Sequence, residues 1–496
     1  MIAMKYARNN AKNHAKHFKI GVLLSSILVL NGCVNLAPKY ERPNSPVQGS
    51  FGNQAVGATT AEDIAKLDWR SVFTDPALQK TIALALDNNR DLRVAMLNIE
   101  KARAQYRIQR AEMFPSVDAS ATQTRAKTRS GNSSSISQSA EFSVGFTSWE
   151  LDLFGRLKNE KDETLETYFA TAETQRSTRM SLIAEVAGDW LNIVSYQQQL
   201  AVAQQTLASQ EKTMQLTYAK YKEGISSAMD YEEIKTSVDS ARADIASYKS
   251  ELAQAKNELD LVVGTKVPND YLPPANADFD QVRLANIQSN LDSSVLLNHP
   301  DVLYAEHTLK SANADIGAAR AAFFPSISLT ASAGRASDDL AGLFNAATGV
   351  WSFAPSISVP IFNAGELKAT LDSSKIQKNI YVAQYELAIQ TAFNDVANAL
   401  AAREYIQQQM TAQQDLVKSS ARYYLLATAR YKEGVDDYLT ALTAQRTFYT
   451  AQQNLISLQL EEATNRVTLY KVLGGGADAK SSQDASTDAK NQQSDS

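Results

Sequence analysis

A tandem duplication sets the first constraint on this 496-residue chain. Tyr221-Lys222-Glu223-Gly224 recurs as Tyr431-Lys432-Glu433-Gly434, 210 residues further on. The same offset takes Phe114-Pro115-Ser116-Val117 to Phe324-Pro325-Ser326-Ile327, Asp91 to Asp301, Arg110 to Arg320, Gly155 to Gly365 and Gly264 to Gly474. One match of this kind is chance, but six in a single register are a repeat. The copies cover 75–265 and 285–475, so one supersecondary plan has to serve twice. A targeting segment (1–32) and an arm (33–74) precede them, and a linker (266–284) with Pro268, Pro273 and Pro274 joins them. A polar tail, 477–496, is expected to be disordered.

Each copy has the same plan. A helix over 77–113, or 301–323 in the second copy, ends where Phe-Pro breaks it. Two strand-like segments follow, at 115–127 and 141–153, then at 325–335 and 351–362. Very long helices come next, 157–223 and 366–433, and each returns after a glycine turn over 226–263 and 435–473. Neither long helix contains proline, and the first holds only Gly188. A rod of ~67 residues is ~100 Å long at 1.5 Å rise, against about 11–12 residues for an ordinary globular helix. Such a rod needs a seam. Alternate steps of three and four from Ile183 pass through Val186, Trp190, Ile193, Gln204, Glu211 and Tyr218 to Ile225. In the second copy they run from Phe393 through Val396, Gln407, Ala421, Thr428 and Tyr431 to Val435. The other faces are rich in Ala, Gln, Ser and Thr, which suits helices packed on two neighbours around a wet interior. A soluble coiled coil is the plainer alternative.

The strands carry the membrane signal. Trp351, Phe353, Pro355, Ile357 and Val359 alternate with Ser352, Ala354, Ser356 and Ser358, and Ile327, Leu329, Ala331 and Ala333 alternate with Ser and Thr. In the first copy Phe142, Val144 and Phe146 change parity to Trp149, Leu151 and Leu153, which predicts a bulge at Thr147–Ser148. Alternating segments of about ten residues mark a transmembrane β-barrel. A soluble sandwich is the alternative, and Pro355 and Pro360 weigh against regular central strands. Four strands cannot close a barrel, and open edges are prohibitive in lipid. A lipid-embedded version of this chain must therefore share its barrel with other copies, in a number the residues do not fix.

The N-terminus reads as an address. Five basic residues, Lys5 to Lys19, precede an apolar run, Ile20–Leu30, that is too short to span a bilayer. The run ends in Leu30-Asn31-Gly32-Cys33, and Cys33 is the only cysteine. This is a lipoprotein signal with Cys33 acylated, or else a secretory signal with an incidental cysteine. Val34 rather than an aspartate follows, which favours sorting to an outer membrane. The net charge is −5, and cleavage after residue 32 leaves 44 basic against 54 acidic residues, about −10. A chain this acidic is a poor nucleic-acid binder. No catalytic constellation is present. His14 and His17 lie in the signal, His299 and His307 stand without a metal-ligand pattern, and no phosphate loop occurs. Gly474-Gly475-Gly476 follows a helix and reads as its stop. No enzyme activity, cofactor or metal is expected.

Several motifs together point to a family. They are Asn88-Asn89-Arg90-Asp91-Leu92, Trp149-Glu150-Leu151-Asp152-Leu153-Phe154-Gly155-Arg156, Asn298-His299-Pro300-Asp301-Val302, Pro360-Ile361-Phe362 and Arg430-Tyr431-Lys432-Glu433-Gly434-Val435-Asp436-Asp437-Tyr438-Leu439. Over 33–476 the chain resembles the TolC-like outer-membrane efflux proteins, in their lipoprotein branch. The resemblance implies a mostly α fold with a transmembrane β-barrel and two tandem repeats per protomer. It implies a homotrimer with a twelve-stranded β-barrel in the outer-membrane lipid of a Gram-negative bacterium, and a long α-helical periplasmic barrel. It also implies docking to a periplasmic adaptor (membrane fusion) protein and an RND-type inner-membrane transporter, as the exit duct for drugs or other small toxic compounds. Heavy-metal efflux and type I secretion ducts share the fold, and a non-pore coiled-coil lipoprotein is the remaining alternative.

The resemblance places the periplasmic gate at the helix tips. Asp436 and Asp437 form an acidic ring there, or else cap a solvated turn. Leu439 is a hydrophobic constriction, and Arg430 and Tyr431 lock neighbouring helices. Tyr221, Gly224 and Gly434 are the adaptor-contact tips. The family's Asp-Ala-Gln-Arg is Thr443-Ala444-Gln445-Arg446 here, so its inner carboxylate ring is missing.

Overall fold

The structure, a computed structural model, describes residues 35–51, 68–131, 133–279 and 292–475. The signal (1–32), Cys33, the tail (477–496) and parts of the arm and linker lie outside the described residues. In chain order the elements are α1 (Trp69–Val72), α2 (Pro76–Asn88), α3 (Arg90–Ala111), β1 (Asp118–Ser130), β2 (Ser133–Leu151) and α4 (Arg156–Lys222). They continue with α5 (Ala228–Val263), α6 (Pro300–Ala321), β3 (Ser326–Ser337), β4 (Gly349–Ser358), α7 (Glu366–Lys432) and α8 (Tyr438–Val472). The 210-residue offset holds to the residue at both ends of α3 and α6, and of α4 and α7. Each long helix has 67 residues. Among the described residues no helix is long and apolar enough to cross a membrane.

The chain divides into two compact units. The first comprises 101–168, 307–383 and the arm up to Pro43. Its strands form one antiparallel sheet in the order β1-β2-β3-β4. The register between β2 and β3 shifts between Phe146 and Trp149, with Ser148 at φ 56° and its N–H donating to Thr330 Oγ1 at 3.0 Å. That is the bulge the parity change predicts, and it keeps Phe146 and Trp149 on one face. Gly145 and Gly334 sit on the other face, where β2 and β3 approach closely. A Cβ on Gly145 would lie 2.1 Å from the Ala331 carbonyl oxygen, and one on Gly334 2.0 Å from that of Phe142.

The strand boundaries shift from expectation, β1 running from Asp118 to Ser130 rather than 115–127, and two of the larger shifts have a visible cause. β2 starts at Ser133 rather than 141, because the serine-rich stretch pairs with β1 as far as the hairpin at Gly131 (φ 62°). β4 stops at Ser358, before Pro360, and is an edge of the sheet, where the missing N–H of Pro355 is tolerated.

The Trp149–Arg156 motif is the joint between β2 and α4. Trp149 Nε1 donates to the Met113 carbonyl (3.2 Å), Gly155 takes φ 76°, and Asp152 accepts the Lys158 N–H (2.8 Å). Arg156 holds Glu150 through two bonds (3.0 and 2.6 Å) and Glu160 through a third (2.7 Å). The arm straps α6: Arg320 Nη1 donates to the Leu36 carbonyl (3.0 Å) and Asn313 Nδ2 to that of Pro38 (2.7 Å).

The second unit comprises 44–100, 169–306 and 384–475, less the residues outside the described set. Its core gathers Trp69, Phe73, Ile82, Trp190, Leu191, Leu259, Val263, Val467 and Tyr470. The helix expected over 77–113 breaks at Asn89, which stands in extended backbone as the cap of α3. Asn89 Oδ1 accepts the Leu92 N–H (2.8 Å), and its Nδ2 donates to the Val262 carbonyl near the end of α5 (2.7 Å). The repeat builds the matching joint with His299, whose Nδ1 accepts the Asp301 N–H (3.3 Å) and whose ring also bonds the Lys471 backbone at the end of α8. Gly264 (φ 79°) and Gly474 (φ 80°) terminate the two return helices beside these caps.

The helical seam differs from the predicted one at alternate positions. From Val396 onward the buried residues of α7 are Val396, Ala399, Ile406, Ser420, Ala427 and Tyr431, so Ile406, Ser420 and Ala427 replace Gln407, Ala421 and Thr428. In α4, Ala203, Gln210 and Thr217 are buried in place of Gln204, Glu211 and Tyr218. Small side chains at these positions let two neighbouring helices approach. Among the residues one position later Gln204, Gln407 and Tyr218 turn outward, Tyr218 being 43% exposed, while Ala421 and Thr428 are half-buried.

His299 makes the second joint titratable. Burial lowers its pKa against the raising effect of Asp301 and Asp395, with Arg176 also lowering it, so the fold favours neutral imidazole. An unfolded chain takes up this proton near pH ~6.5, so stability is full above that pH and falls as acidification passes through it. The variant His299→Asn, which copies Asn89, is expected to lose less melting temperature than the parent between pH ~7.5 and ~5. Equal losses would show that the imidazole does not carry the effect.

Candidate functional site at the helix tips

Both tips are built by the same backbone device. At the end of α4 the Ile225 N–H reaches the Lys220 carbonyl (2.8 Å) and the Gly224 N–H that of Tyr221 (3.0 Å). At the end of α7 the Val435 N–H reaches the Arg430 carbonyl (2.9 Å) and the Gly434 N–H that of Tyr431 (3.1 Å). This is the Schellman pattern, and it needs the left-handed residue that Gly224 and Gly434 supply at φ 73° each. The return helices then start later than 226 and 435, because Ser227 and Asp437 cap them from extended backbone.

The two caps use opposite chemistry. Ser227 and Asp230 form a reciprocal box, with the Asp230 N–H on Ser227 Oγ (3.1 Å) and the Ser227 N–H on Asp230 Oδ2 (3.0 Å). These bonds, the one from the Ser227 backbone first, hold the Asp230 carboxyl below the usual range. In the second tip the acid comes first. Asp437 Oδ1 accepts the Thr440 N–H (3.0 Å) and hydroxyl (2.7 Å), and these bonds lower its pKa. Asp436 is gripped by Arg430 through Nε to Oδ2 (2.6 Å) and Nη2 to Oδ1 (2.8 Å), which depresses its pKa as well. Each carboxylate of the expected ring is therefore engaged within its own chain: one caps a helix, and the other is neutralised by the cation six residues before it.

Tyr431 ties α7 to α4. It is 8% exposed, its hydroxyl meets buried Thr217 Oγ1 at 3.1 Å, its ring packs edge-on against Tyr438 (5.5 Å), and Lys220 Nζ lies 4.6 Å from its centroid. Ile234, Ala441 and Leu442 complete this small core. About two turns up the helices, Ser209 and Tyr424 repeat the hydroxyl pair at 2.9 Å. Its repeat counterpart Tyr221 is 40% exposed and stacks on Tyr231 (6.1 Å). Leu439 is exposed, as are Ile225, Met229 and Val435, and the offset relates Ile225 to Val435 and Met229 to Leu439. In the Thr443–Arg446 segment, Arg446 Nη2 reaches Ser237 Oγ on α5 at 3.4 Å. Thr217 and Tyr438 are the tip residues sequence reasoning missed. The signal for Thr217 was its seven-residue spacing from Gln210 and Ala203.

These features have known counterparts. The sequence profile of the outer membrane efflux protein family matches residues 81–265 and 291–475, once per repeat. The chain is 44% identical over 461 residues to the probable efflux pump outer membrane protein TtgC of Pseudomonas putida, covering 92% of this chain and 95% of that protein. It is 39% identical over 452 residues to the cation efflux system protein CusC of Escherichia coli, covering 90% and 97%. Its structure is similar to the open state of the Neisseria gonorrhoeae MtrE outer membrane channel, with TM-score 0.82, 40% identity, and coverage of 89% of this chain and 98% of that one.

Replacing Tyr431 with phenylalanine leaves the buried Thr217 hydroxyl without its partner. The expected cost is ~1–2 kcal/mol, read as a lower melting temperature and faster hydrogen exchange at the end of α7. Tyr221→Phe, at an exposed hydroxyl, is the control and should change neither.

Proposed function

The chain belongs to the outer membrane efflux protein family, and on that premise we propose that it exports drugs and related organic toxicants through a gated, homotrimeric tunnel. It is the exit duct of a tripartite efflux pump in the outer membrane of a Gram-negative bacterium, reaching into the periplasm, and not an enzyme. The observation that carries the homotrimer is the sheet: four strands with an apolar face and two unpaired edges, β1 and β4. Pairing β1 of one copy with β4 of the next satisfies both edges, and three copies give twelve strands. A lipid anchor on Cys33, next to the arm that straps α6, would hold the barrel base at the membrane. Organic substrates are supported by 44% identity to relatives named for antibiotic and toluene efflux, against 39% to the cation relative.

The tips act as the gate and as the contact for the adaptor, which hands over cargo from an RND-type inner-membrane transporter. In the arrangement described, Arg430 cancels Asp436, so Asp437 alone faces ions as a carboxylate without a cationic partner. Leu439 narrows the same opening, and Tyr431 holds the two long helices together until the gate moves. The exposed apolar pairs flanking Gly224 and Gly434, together with Tyr221, fit an adaptor that offers apolar groups of its own.

Planar-bilayer recording with the oligomer mass tests this reading. A trimer with small, flickering, cation-preferring conductance is expected, and a silent monomer overturns it. Asp436→Ala with Asp437→Ala should reduce cation preference, whereas Arg430→Ala should raise it by freeing Asp436. Because both carboxyls are held below their ordinary range, the preference should persist down to about pH 4.

A further inference from the structure

The sheet segregates charge by face. Paired residues across the register share a face, and this traces one side of the sheet through all four strands. That side carries Phe142, Phe146, Trp149, Leu329, Trp351 and Ile357. It also carries every cation of the strands: Arg125, Lys127, Arg129 and Arg335. The other side is mostly serine and threonine, with small residues, Val350 at one end, the acids Asp118, Glu141 and Glu150, and no cation. A lumen explains the polar side. The apolar side faces hydrocarbon, where a cation is most costly at mid-depth and tolerated only near an interface.

Three of these cations are past the apolar band. β3 and β4 end at Ser337 and Gly349, paired with or near the level of Ala140, and the β1–β2 ribbon continues alone to Gly131. Arg125 pairs with Gln138, Lys127 with Ile136 and Arg129 with Ser134, all on this extension. Ile327 to Arg335 spans ~27 Å along the strand, or ~20 Å of depth at a tilt of about 40°. Arg335 is level with Ala121 through Phe142, so the stripe begins ~14 Å further along β1, about 10 Å of depth past that band, and runs a further ~14 Å with ~7 Å between successive cations. Chain direction places it at the end remote from α3 and α4, hence on the outer leaflet. Arg335 is already occupied by the Asn345 carbonyl (2.5 Å). Arg125, Lys127 and Arg129 are exposed, and among the described residues none has a carboxylate partner. Only Arg129 makes a local bond, to the Gly131 carbonyl (3.3 Å).

We propose that Arg125, Lys127 and Arg129 form a binding stripe for phosphate-bearing lipid headgroups of the outer leaflet, continuous with the apolar face that contacts their acyl chains. The stripe rests on the barrel reading above. Arginine suits bidentate phosphate contacts, lysine adds a point charge, and anionic headgroups attract basic residues at this depth.

Native mass spectrometry of the full-length protein with equal phosphatidylglycerol and phosphatidylcholine of matched chains tests it. The parent should retain phosphatidylglycerol with a preference on the order of tenfold. The triple variant Arg125→Gln, Lys127→Gln, Arg129→Gln should fall near parity while its conductance is kept. A conducting trimer whose preference survives the triple change overturns this inference alone. A parent that neither conducts nor trimerises overturns the duct reading, and this one with it. Displacement of the lipid by inorganic phosphate would make the stripe a site for soluble anions and also overturn it. Should the triple variant fail to assemble, Lys127→Glu on the exposed ribbon replaces it. A reduced preference is then expected, and an unchanged one counts against the stripe.

Discussion

Backbone hydrogen bonding at the two free edges of the sheet is the constraint from which the rest follows. In water an unpaired strand edge is a liability, and in hydrocarbon it is prohibitive, because each open N–H and C=O costs several kcal/mol. A chain that offers only β1 to β4 to a membrane has to borrow its closure from other copies. The bulge at Ser148 and the close approach at Gly145 and Gly334 adapt the sheet to curve.

Duplication gives each protomer two versions of every joint, and function lies where the versions diverge. Asn89 and His299 hold equivalent helix ends, each accepting a backbone N–H of the following helix and bonding the end of a return helix, yet only His299 brings a titratable ring, whose pKa burial lowers. Ser227 and Asp437 cap equivalent helices, but one shares a reciprocal box and the other presents a carboxylate at an exposed tip. Tyr431 is buried against Thr217 while Tyr221 stays accessible. The second copy thus carries the charged and locking groups, which find their partners within it, except that Tyr431 reaches Thr217 in the first.

Charge follows the same economy. In the strands, cations keep to the apolar face beyond its hydrophobic band, and carboxylates keep to the polar face. At the tips, Arg430 neutralises Asp436, so it does not stand beside Asp437 as a second bare carboxylate. Both arrangements place a charge only where a partner or solvent meets it.

The sequence by itself determined the repeat, the order of elements, the long proline-free helices, the parity break at Ser148 and the glycine turns at both tips. Each is written in local chemistry: a backbone that proline would break, a left-handed residue that glycine supplies, an alternation that only a strand uses. It also placed Asp436, Asp437, Arg430 and Tyr431 together, because they lie within eight residues. Only the tertiary structure decided what each of them touches. That Arg430 turns to Asp436, that Asp437 caps α8, and that Tyr431 reaches Thr217 on the other long helix depend on rotamers and on helix packing across more than 200 residues. The seam was half legible for the same reason. A period near 3.5 fixes the stripe, but two neighbours competing for it decide whether Thr217 or Tyr218 turns inward, and that competition is settled by how closely the helices pack.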